Sequence, residues 1–174
     1  MWKKIIKENL EMVLIALMIV LPVRYFLIQP FVVHGSSMEP NFYPKDYLIV
    51  DELSYRFREP QRFEVVVFKA PNNSGQYYIK RIIGLPNERV IIRNGEVFVV
   101  TKNGTQMKLE EKFLPKNIET LGNIDLTLKE QQYFLLGDNR AASYDSRNWG
   151  PIERKAIVGR VWLRLWPLKS ITLF

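Results

Sequence analysis

The chain contains no cysteine, so disulfide bonds, thiol nucleophiles and zinc sites built on cysteine are all excluded. It contains a single histidine, His34, which excludes any metal site that needs several histidine ligands. Its carboxylates are not spaced like the ligands of a calcium-binding loop, so we expect no metal. The lack of cysteine leaves the redox compartment open, since cysteine-free proteins occur on both sides of a membrane.

The size and composition are those of one folded domain, alone or with an appendage. The 174 residues are 47% hydrophobic, which is enough for a packed core. Lysine and arginine outnumber aspartate and glutamate by 25 to 18, so the formal net charge is +7. This sign suits nucleic acid, anionic lipid or a solvated surface. Since basic and aromatic residues are interleaved only in the C-terminal strand, we expect no nucleic-acid partner.

A long apolar segment lies near the N-terminus. Residues 12–23, MVLIALMIVLPV, carry no charge, and the apolar character resumes after Arg24. About 20 helical residues cross the hydrocarbon core of a membrane, so we predict a transmembrane anchor over residues 10–29. A cleavable secretory signal and a buried core helix are the alternatives. The bulky residues at 23–33 do not fit the small-residue cleavage site of a secretory signal.

The charges before this segment predict its orientation. Lys3, Lys4 and Lys7 precede it, and the positive-inside rule places such a terminus in the cytosol. We therefore expect residues 1–9 in the cytosol and residues 30–174 outside it.

Beyond the anchor the sequence has the pattern of short strands, with almost no amphipathic helix. Asn94-Gly95 lies between two β-branched runs and predicts a hairpin with a type I′ turn. Residues 101–132 are polar with weak periodicity, so we interpret them as a variable cap region with little chemistry. The predicted fold class is mainly β: a partly barrel-like antiparallel domain on a single N-terminal transmembrane helix. Strands are predicted at 47–50, 63–68, 77–83, 89–100, 133–137 and 157–167.

The stretch YYIKRIIGLP at residues 77–86 places two basic residues inside an apolar strand pattern. Side chains alternate along a strand, so Lys80 and Arg81 point to opposite faces and we expect one of them to point inward. A lysine in an apolar site loses the hydration of its charged form, so its pKa falls from about 10.4 and it can act as a general base. The alternative is a surface lysine whose aliphatic stem covers a half-buried strand.

The candidate nucleophiles for such a base are Ser36 and Ser37, in HGSSMEP at residues 34–40. The alternative for both serines is an ordinary turn. His34 lies three residues before Ser37, and in an extended chain the two are too far apart for a hydrogen bond. We therefore expect a structural histidine, and a Ser/His/Asp triad would depend entirely on this residue.

Three motifs carry a resemblance to a known family. The first is GSSMEP at residues 35–40, where a serine directly precedes a methionine, and the second is YYIKRIIGLP. The third is LGDNRAASYDSRNWGPI at residues 136–152. In this order behind one apolar segment, they resemble the nucleophile, lysine and GDNR-x-x-S-x-DSR motifs of the type I signal peptidases (leader peptidases) in their compact bacterial form. The resemblance covers most of the chain except roughly residues 101–132.

The resemblance implies a serine endopeptidase with a Ser/Lys dyad that removes signal peptides from exported preproteins after small residues (A-x-A) and needs no cofactor. Ser37 is then the nucleophile, Lys80 the general base, and Ser143 the residue that hydrogen-bonds and orients the lysine amine. Some family members carry a serine two residues before the nucleophile, where its hydroxyl helps bind the oxyanion. Here that residue is Gly35, so the oxyanion would rest on backbone N–H groups, chiefly that of Ser37.

The resemblance also implies structural support and substrate pockets around the dyad. Asp138 is expected to pair with Arg81, and Asp145 with Arg147. Shallow apolar pockets for the small substrate residues are expected around six side chains: Phe31, Val33, Met38, Phe42, Tyr78 and Ile79.

The expected partners are secretory preproteins and membrane lipids, at the cytoplasmic membrane of a bacterium. Arg160, Trp162, Arg164 and Trp166 alternate along the C-terminal strand, a pattern typical of a membrane interface or of a solvated face with cation–π pairs. The oligomeric state does not follow from the sequence. Two rivals remain: a self-cleaving Ser/Lys repressor-type protease, which would carry a DNA-binding domain in place of the anchor, and a non-enzymatic membrane-anchored β-module that binds or assembles secreted proteins.

Overall fold

The structure is a computed structural model that describes residues 2–26, 28–71 and 75–174. A long helix, α1 (Trp2–Phe26), precedes a β domain that contains two one-turn helices, α2 (Ser54–Phe57) and α3 (Ser146–Trp149). The strands are β1 (Ile28–Val32), β2 (Tyr47–Asp51), β3 (Val65–Lys69), β4 (Tyr77–Gly84), β5 (Arg89–Arg93), β6 (Glu96–Val100), β7 (Gln106–Lys108), β8 (Ile124–Thr127), β9 (Gln132–Leu136), β10 (Ile152–Glu153), β11 (Ile157–Trp166) and β12 (Thr172–Leu173).

The strands form two antiparallel sheets. The larger sheet has the order β1-β2-β11-β3-β4-β9-β10, with β12 beside β11. The smaller sheet has the order β7-β6-β5-β8. The prediction of a mainly β, antiparallel domain is confirmed.

The larger sheet curls but its ladder does not close. Within the described residues, β1 pairs with β2 alone, and β9 pairs with β4 only from Arg81 onward, so Tyr77–Lys80 keeps a free edge. These two free edges line opposite sides of one cleft. Among the described residues the larger sheet is therefore open, and the cleft lies between its two free edges.

The hairpin β5–β6 forms as predicted. Asn94 and Gly95 take φ of 53° and 78° between the paired residues Arg93 and Glu96, as a type I′ turn requires. Strand β3 begins two residues later than predicted, because Phe63 takes φ of 71°, which no strand residue adopts.

The region at 101–132 contributes more to the core than predicted. Its strands β7 and β8 extend the smaller sheet on both sides, and Leu109 and Leu128 are buried in the cluster that joins this sheet to β9. Three- and four-residue strands are too short to show a clear alternation of polar and apolar residues. The sequence pattern therefore indicated a cap where part of the fold lies.

A second apolar cluster lies under the cleft. Met38 and Phe42 are fully buried against residues of β2, β3 and β11, and Phe31 and Ile79 pack on this cluster from the cleft side. Burying a side chain of this size stabilises the fold by roughly 1.5–3 kcal/mol. The turn before Met38 is thereby held against the core.

The alternation predicted for the C-terminal strand is interrupted. Bulges fall between Val161 and Leu163 and between Arg164 and Trp166. Trp166 is exposed, as is Trp162. Arg160, in contrast, pairs with Asp51, and Arg164 pairs with Asp46. The arginines therefore support the domain and do not form one exposed face with the tryptophans.

The helix α1 exposes every described side chain from residue 5 to residue 18. Among the residues that the structure describes, no helix combines the length and the apolar character needed to cross a membrane. The predicted anchor at 10–29 includes Leu27, which lies outside the described residues. The anchor thus stays a prediction.

Candidate active site

The side chains of Ser37 and Lys80 meet, although 43 positions separate them in the chain. Lys80 donates a hydrogen bond from Nζ to Ser37 Oγ over 2.7 Å and another to the Ile79 carbonyl oxygen over 3.0 Å. Ser36, the other candidate, is exposed and has no bond to the lysine within the described structure. Only Ser37 therefore has the nucleophile-to-base contact that covalent catalysis requires.

The turn that carries Ser37 is held on both sides. Before it, Gly35 takes φ of 78°, a left-handed conformation that glycine adopts without a steric cost. After it, the backbone N–H of Phe42 donates to the Met38 carbonyl oxygen over 2.9 Å. Because Met38 and Phe42 are also the buried anchors described above, the hydroxyl of Ser37 has a fixed position at the edge of the core.

Burial lowers the pKa of Lys80 into the range of a general base. Its residue is only 4% exposed, and loss of hydration lowers its pKa from 10.5 to about 8, while the negative charges of Asp145 and Asp138 act in the opposite direction. With a pKa of about 8, about a tenth of the amine is neutral at pH 7, against roughly 0.03% for an unperturbed lysine. Desolvation therefore supplies the free base.

Both acidic residues near Lys80 are held by arginines. Arg81 donates to Asp138 from Nε over 2.8 Å and from Nη2 over 2.5 Å. Arg147 donates to both carboxylate oxygens of Asp145 over 2.9 Å. The two expected ion pairs are thus formed, and both carboxylates are buried. Each acidic charge is matched by a guanidinium group, which weakens its attraction for a proton on Lys80.

The loop after β9 fastens the nucleophile to the larger sheet. The backbone N–H of Asn139 donates to the Ser37 carbonyl oxygen, and Asn139 Nδ2 donates to the Ser36 carbonyl oxygen, both over 3.1 Å. A Cβ at Gly137 would lie 2.4 Å from the Ser37 carbonyl oxygen and 2.1 Å from Ser143 Oγ, so only glycine fits there. Gly137 and Asn139 belong to the GDNR motif, but the sequence did not reveal these contacts.

The expected bond between Ser143 and Lys80 is not formed in this structure. Ser143 Oγ is buried against Gly137 and has no hydrogen-bond partner within the described residues. Lys80 directs its bonds to Ser37 and Ile79 instead. Ser143 is therefore next to the site with an unused hydroxyl, and its orienting role stays a prediction.

A cleft of about 780 Å³ opens beside the dyad. One wall is formed by residues 30–37 and the other by residues 76–80, and Tyr144 and Ala142 also line it. Of the six predicted pocket residues, four line the cleft: Phe31, Val33, Tyr78 and Ile79. The other two, Met38 and Phe42, lie in the core beneath it.

Several other apolar residues that line the cleft were not predicted from the sequence, among them Leu48 of β2 and Val67 of β3. Both lie within strand patterns that also predict ordinary core, and no local signal separates the two roles. His34 lines the cleft and is exposed, with no hydrogen bond to Ser37 within the described chain. The geometry therefore gives no support to a histidine base.

Side chains from the region at 101–132 contact residues around the dyad. The ring of Phe113 lies 4.0 Å from the Arg81 guanidinium carbon, and its carbonyl oxygen accepts from Asn41, which also donates to Asp138. Glu111 pairs with the buried Arg140. We expected little chemistry in this region, but Phe113 and Glu111 contact residues that hold the dyad in place.

Arg140 links this region to the nucleophile loop. Its Nη1 donates to Glu111 over 2.8 Å, and its Nε donates to the Gly137 carbonyl oxygen over 3.0 Å. Thr120 also accepts a hydrogen bond from Arg140. The backbone around Gly137 is thereby supported from the connection between β7 and β8.

Residues 6–166 match the family described as signal peptidase, peptidase S26. The chain belongs to this family. It is 37% identical over 165 residues to the probable signal peptidase I-2 of Synechocystis sp. This alignment covers 91% of this chain and 72% of the relative. The chain is 37% identical over 169 residues to signal peptidase I of Bacillus caldolyticus, covering 90% and 89%. A solved signal peptidase I from Enterococcus faecalis V583 is 33% identical and covers 60% of this chain and 97% of that one, with a TM-score of 0.48.

As a member of the signal peptidase family, the protein is a serine endopeptidase of the signal peptidase I type. The alternative of a non-enzymatic β-module is not favoured.

Replacing Lys80 by methionine is expected to stabilise the folded protein at pH 7. The native pKa of about 8 lies below the unfolded value of 10.5, so the unfolded chain binds more protons between these values and wild-type stability rises with pH there. Below pH 8 the wild type carries the full cost of the buried charge, roughly 3 kcal/mol. Urea unfolding in detergent measures the free energy of unfolding of the wild type and of Lys80→Met. The variant should be the more stable protein at pH 7, and its advantage should shrink as the pH rises towards 10.5.

The exposed Lys69 on β3 provides the matched control for this measurement. Lys69→Met should change the free energy of unfolding little at either pH. A gain for Lys80→Met that is the same at both pH values would contradict a titrating buried amine.

Glu111→Gln is expected to slow peptide cleavage about tenfold, since small displacements of catalytic groups have large effects. The change leaves Arg140 buried without a countercharge, at a cost of about 2–3 kcal/mol. Cleavage rates and urea unfolding measure both effects. Glu110→Gln is the control, because Glu110 is the exposed neighbour. Equal cleavage rates and equal stability of the two variants would show that the Glu111–Arg140 ion pair does not support the site.

Proposed function

We propose that Ser37 is the nucleophile and Lys80 the general base of this signal peptidase. The observation that carries the proposal is the 2.7 Å contact between Lys80 Nζ and Ser37 Oγ at the edge of an open cleft. The depressed pKa of Lys80 supports it, because a base near pKa 8 is available at neutral pH.

The reaction follows from these positions. Ser37 Oγ attacks the scissile carbonyl carbon as Lys80 Nζ takes the hydroxyl proton, and the tetrahedral oxyanion collapses as the same amine protonates the leaving nitrogen. Water, deprotonated by Lys80, then attacks the acyl carbon, and the protonated Lys80 returns its proton to Ser37 Oγ as the ester bond breaks. The acyl fragment leaves as a carboxylate, its remaining proton passing to solvent. The Ser37 N–H has no acceptor within the described chain, which leaves it available to the oxyanion.

The substrate is an extended segment of a secretory preprotein that ends in small residues, and cleavage releases its signal peptide. Both cleft walls present free strand edges, and an extended peptide can pair with such an edge. Residues one and three before the cut then face the same side. Phe31, Val33 and Ile79 line the cleft and pack on one apolar cluster, and we propose that they form the shallow pockets for alanine-sized residues.

Ser37→Ala and Lys80→Ala should each reduce cleavage of a preprotein with an A-x-A signal to background. The wild-type rate should rise with pH through an apparent pKa near 8, since the neutral amine is the active form. The assay follows the mature product in detergent between pH 6 and 10.

Ser36→Ala is the matched control, because Ser36 is the exposed neighbour of the nucleophile. It should keep cleavage within about threefold of wild type. Full activity in Lys80→Ala would eliminate the dyad, and an apparent pKa near 10.4 would contradict an activated lysine.

We also propose that the helical part of residues 10–29 anchors the enzyme in the cytoplasmic membrane of a bacterium, with residues 1–9 in the cytosol and residues 30–174 outside. The last two residues of that range, Ile28 and Gln29, pair with β2 and therefore lie with the β domain. The exposed apolar side chains between Leu10 and Met18 support this placement, since such a surface is unfavourable in water. Trp162 and Trp166 are exposed on the β domain and suit contact with lipid headgroups.

The lack of cysteine makes this topology directly testable. Single cysteines are placed at Lys7, near the N-terminus, and at Lys155, which is exposed on the β domain. In intact spheroplasts a membrane-impermeant maleimide should label Lys155→Cys and leave Lys7→Cys unlabelled until the membrane is permeabilised. Labelling of both, or of Lys7→Cys alone, would refute the proposed orientation.

A further inference from the structure

Tyr144 is an exposed aromatic side chain in the wall of the cleft that the reaction does not use. It lies between Ser143 and Asp145, and it is 66% exposed although it lines the same cleft as Ser37 and Lys80. An exposed ring beside a dyad is available to contact a bound peptide.

The ring of Tyr144 is held in place from behind. It packs edge-on against Trp149, with ring centroids 5.0 Å apart. Trp149 in turn packs against Tyr78 at 5.9 Å and Phe68 at 6.3 Å. A tyrosine that is fixed in this way loses little conformational entropy when it binds a ligand.

The backbone of Tyr144 is fixed as well. The next residue, Asp145, is fully buried, caps α3 and accepts a hydrogen bond from the Gly137 N–H over 3.0 Å. Tyr144 therefore presents a rigid wall to the cleft and not a mobile loop tip.

Tyr144 lies on the opposite side of β4 from Phe31, Val33 and Ile79, which we propose to contact the small substrate residues. Tyr78, which was expected in the same pocket, packs instead on the Tyr144 side. Consecutive residues of β4 face opposite ways. Ile79 packs on the cluster that contains Val33, whereas Tyr78 packs on the cluster that contains Phe68. Through Trp149, Tyr144 belongs to the Tyr78 side.

A peptide paired with the free edge of β4 places its own side chains alternately on these two sides. When the residues one and three before the cut occupy the Ile79 side, the residue between them faces the Tyr78 side. We propose that Tyr144 is a specificity-determining residue that contacts the substrate side chain two positions before the cut and favours a large apolar surface there. This inference rests on the proposed function.

The test compares two preprotein signals, A-F-A and A-G-A, that differ only at this position. Wild-type enzyme should cleave the phenylalanine signal with a kcat/KM about fivefold higher, since one aromatic contact contributes roughly 1 kcal/mol and 1.4 kcal/mol corresponds to a factor of ten. Tyr144→Ala should remove this preference and leave cleavage of the glycine signal close to wild type. Tyr144→Phe should retain the preference, because it keeps the ring.

Tyr43→Ala is the matched control, since Tyr43 is similarly exposed and does not line the cleft. It should keep the wild-type ratio. An unchanged ratio in Tyr144→Ala, or an equal loss on both signals, would overturn the assignment of Tyr144 while leaving the dyad intact. Failure of the wild type to cleave either signal would overturn the dyad and this assignment together.

Discussion

The burial of one amine determines how the rest of this site is built. Lys80 contacts Ser37 only because β4 carries it into the space between the nucleophile turn and the loop after β9. Water at that position would restore the ordinary pKa of the lysine, and the neutral fraction at pH 7 would fall about 300-fold. The apolar neighbours of Lys80 therefore serve catalysis as well as packing.

The two carboxylates near Lys80 create a conflict that the arginines resolve. An unpaired Asp138 or Asp145 at this depth would favour a protonated lysine and would itself be costly to bury. Arg81 donates to both carboxylate oxygens of Asp138, and Arg147 donates to both oxygens of Asp145. The two acids can therefore hold the loop after β9 in place while Lys80 keeps a lowered pKa. Loss of hydration remains the larger influence on the pKa of Lys80, and the two nearby acids oppose it.

The sequence predicted the parts of the site that depend on short motifs, and less of what depends on the path of the chain. The antiparallel fold, the Asn94-Gly95 hairpin and the two ion pairs were all expected, since each follows from local pattern or motif. The contacts of Phe113 and Glu111 were not expected, because the sequence of a polar loop has no periodicity from which its tertiary contacts can be predicted. Met38 and Phe42 were expected in the pocket, but an apolar residue beside a nucleophile can support the pocket from below equally well.

The backbone conformation of Gly35 explains why this chain has glycine where some family members carry a serine that helps bind the oxyanion. Its φ of 78° is a conformation that a serine adopts only with strain, and a Cβ there would point into open space. A side-chain donor at this position would thus have to be held without neighbours. The backbone N–H of Ser37 needs no such support, because the buried Met38 and the bonds from Asn139 already fix the turn. The contacts that position the Ser37 hydroxyl therefore also position the Ser37 N–H, which can donate the hydrogen bond that a serine hydroxyl at position 35 would have supplied.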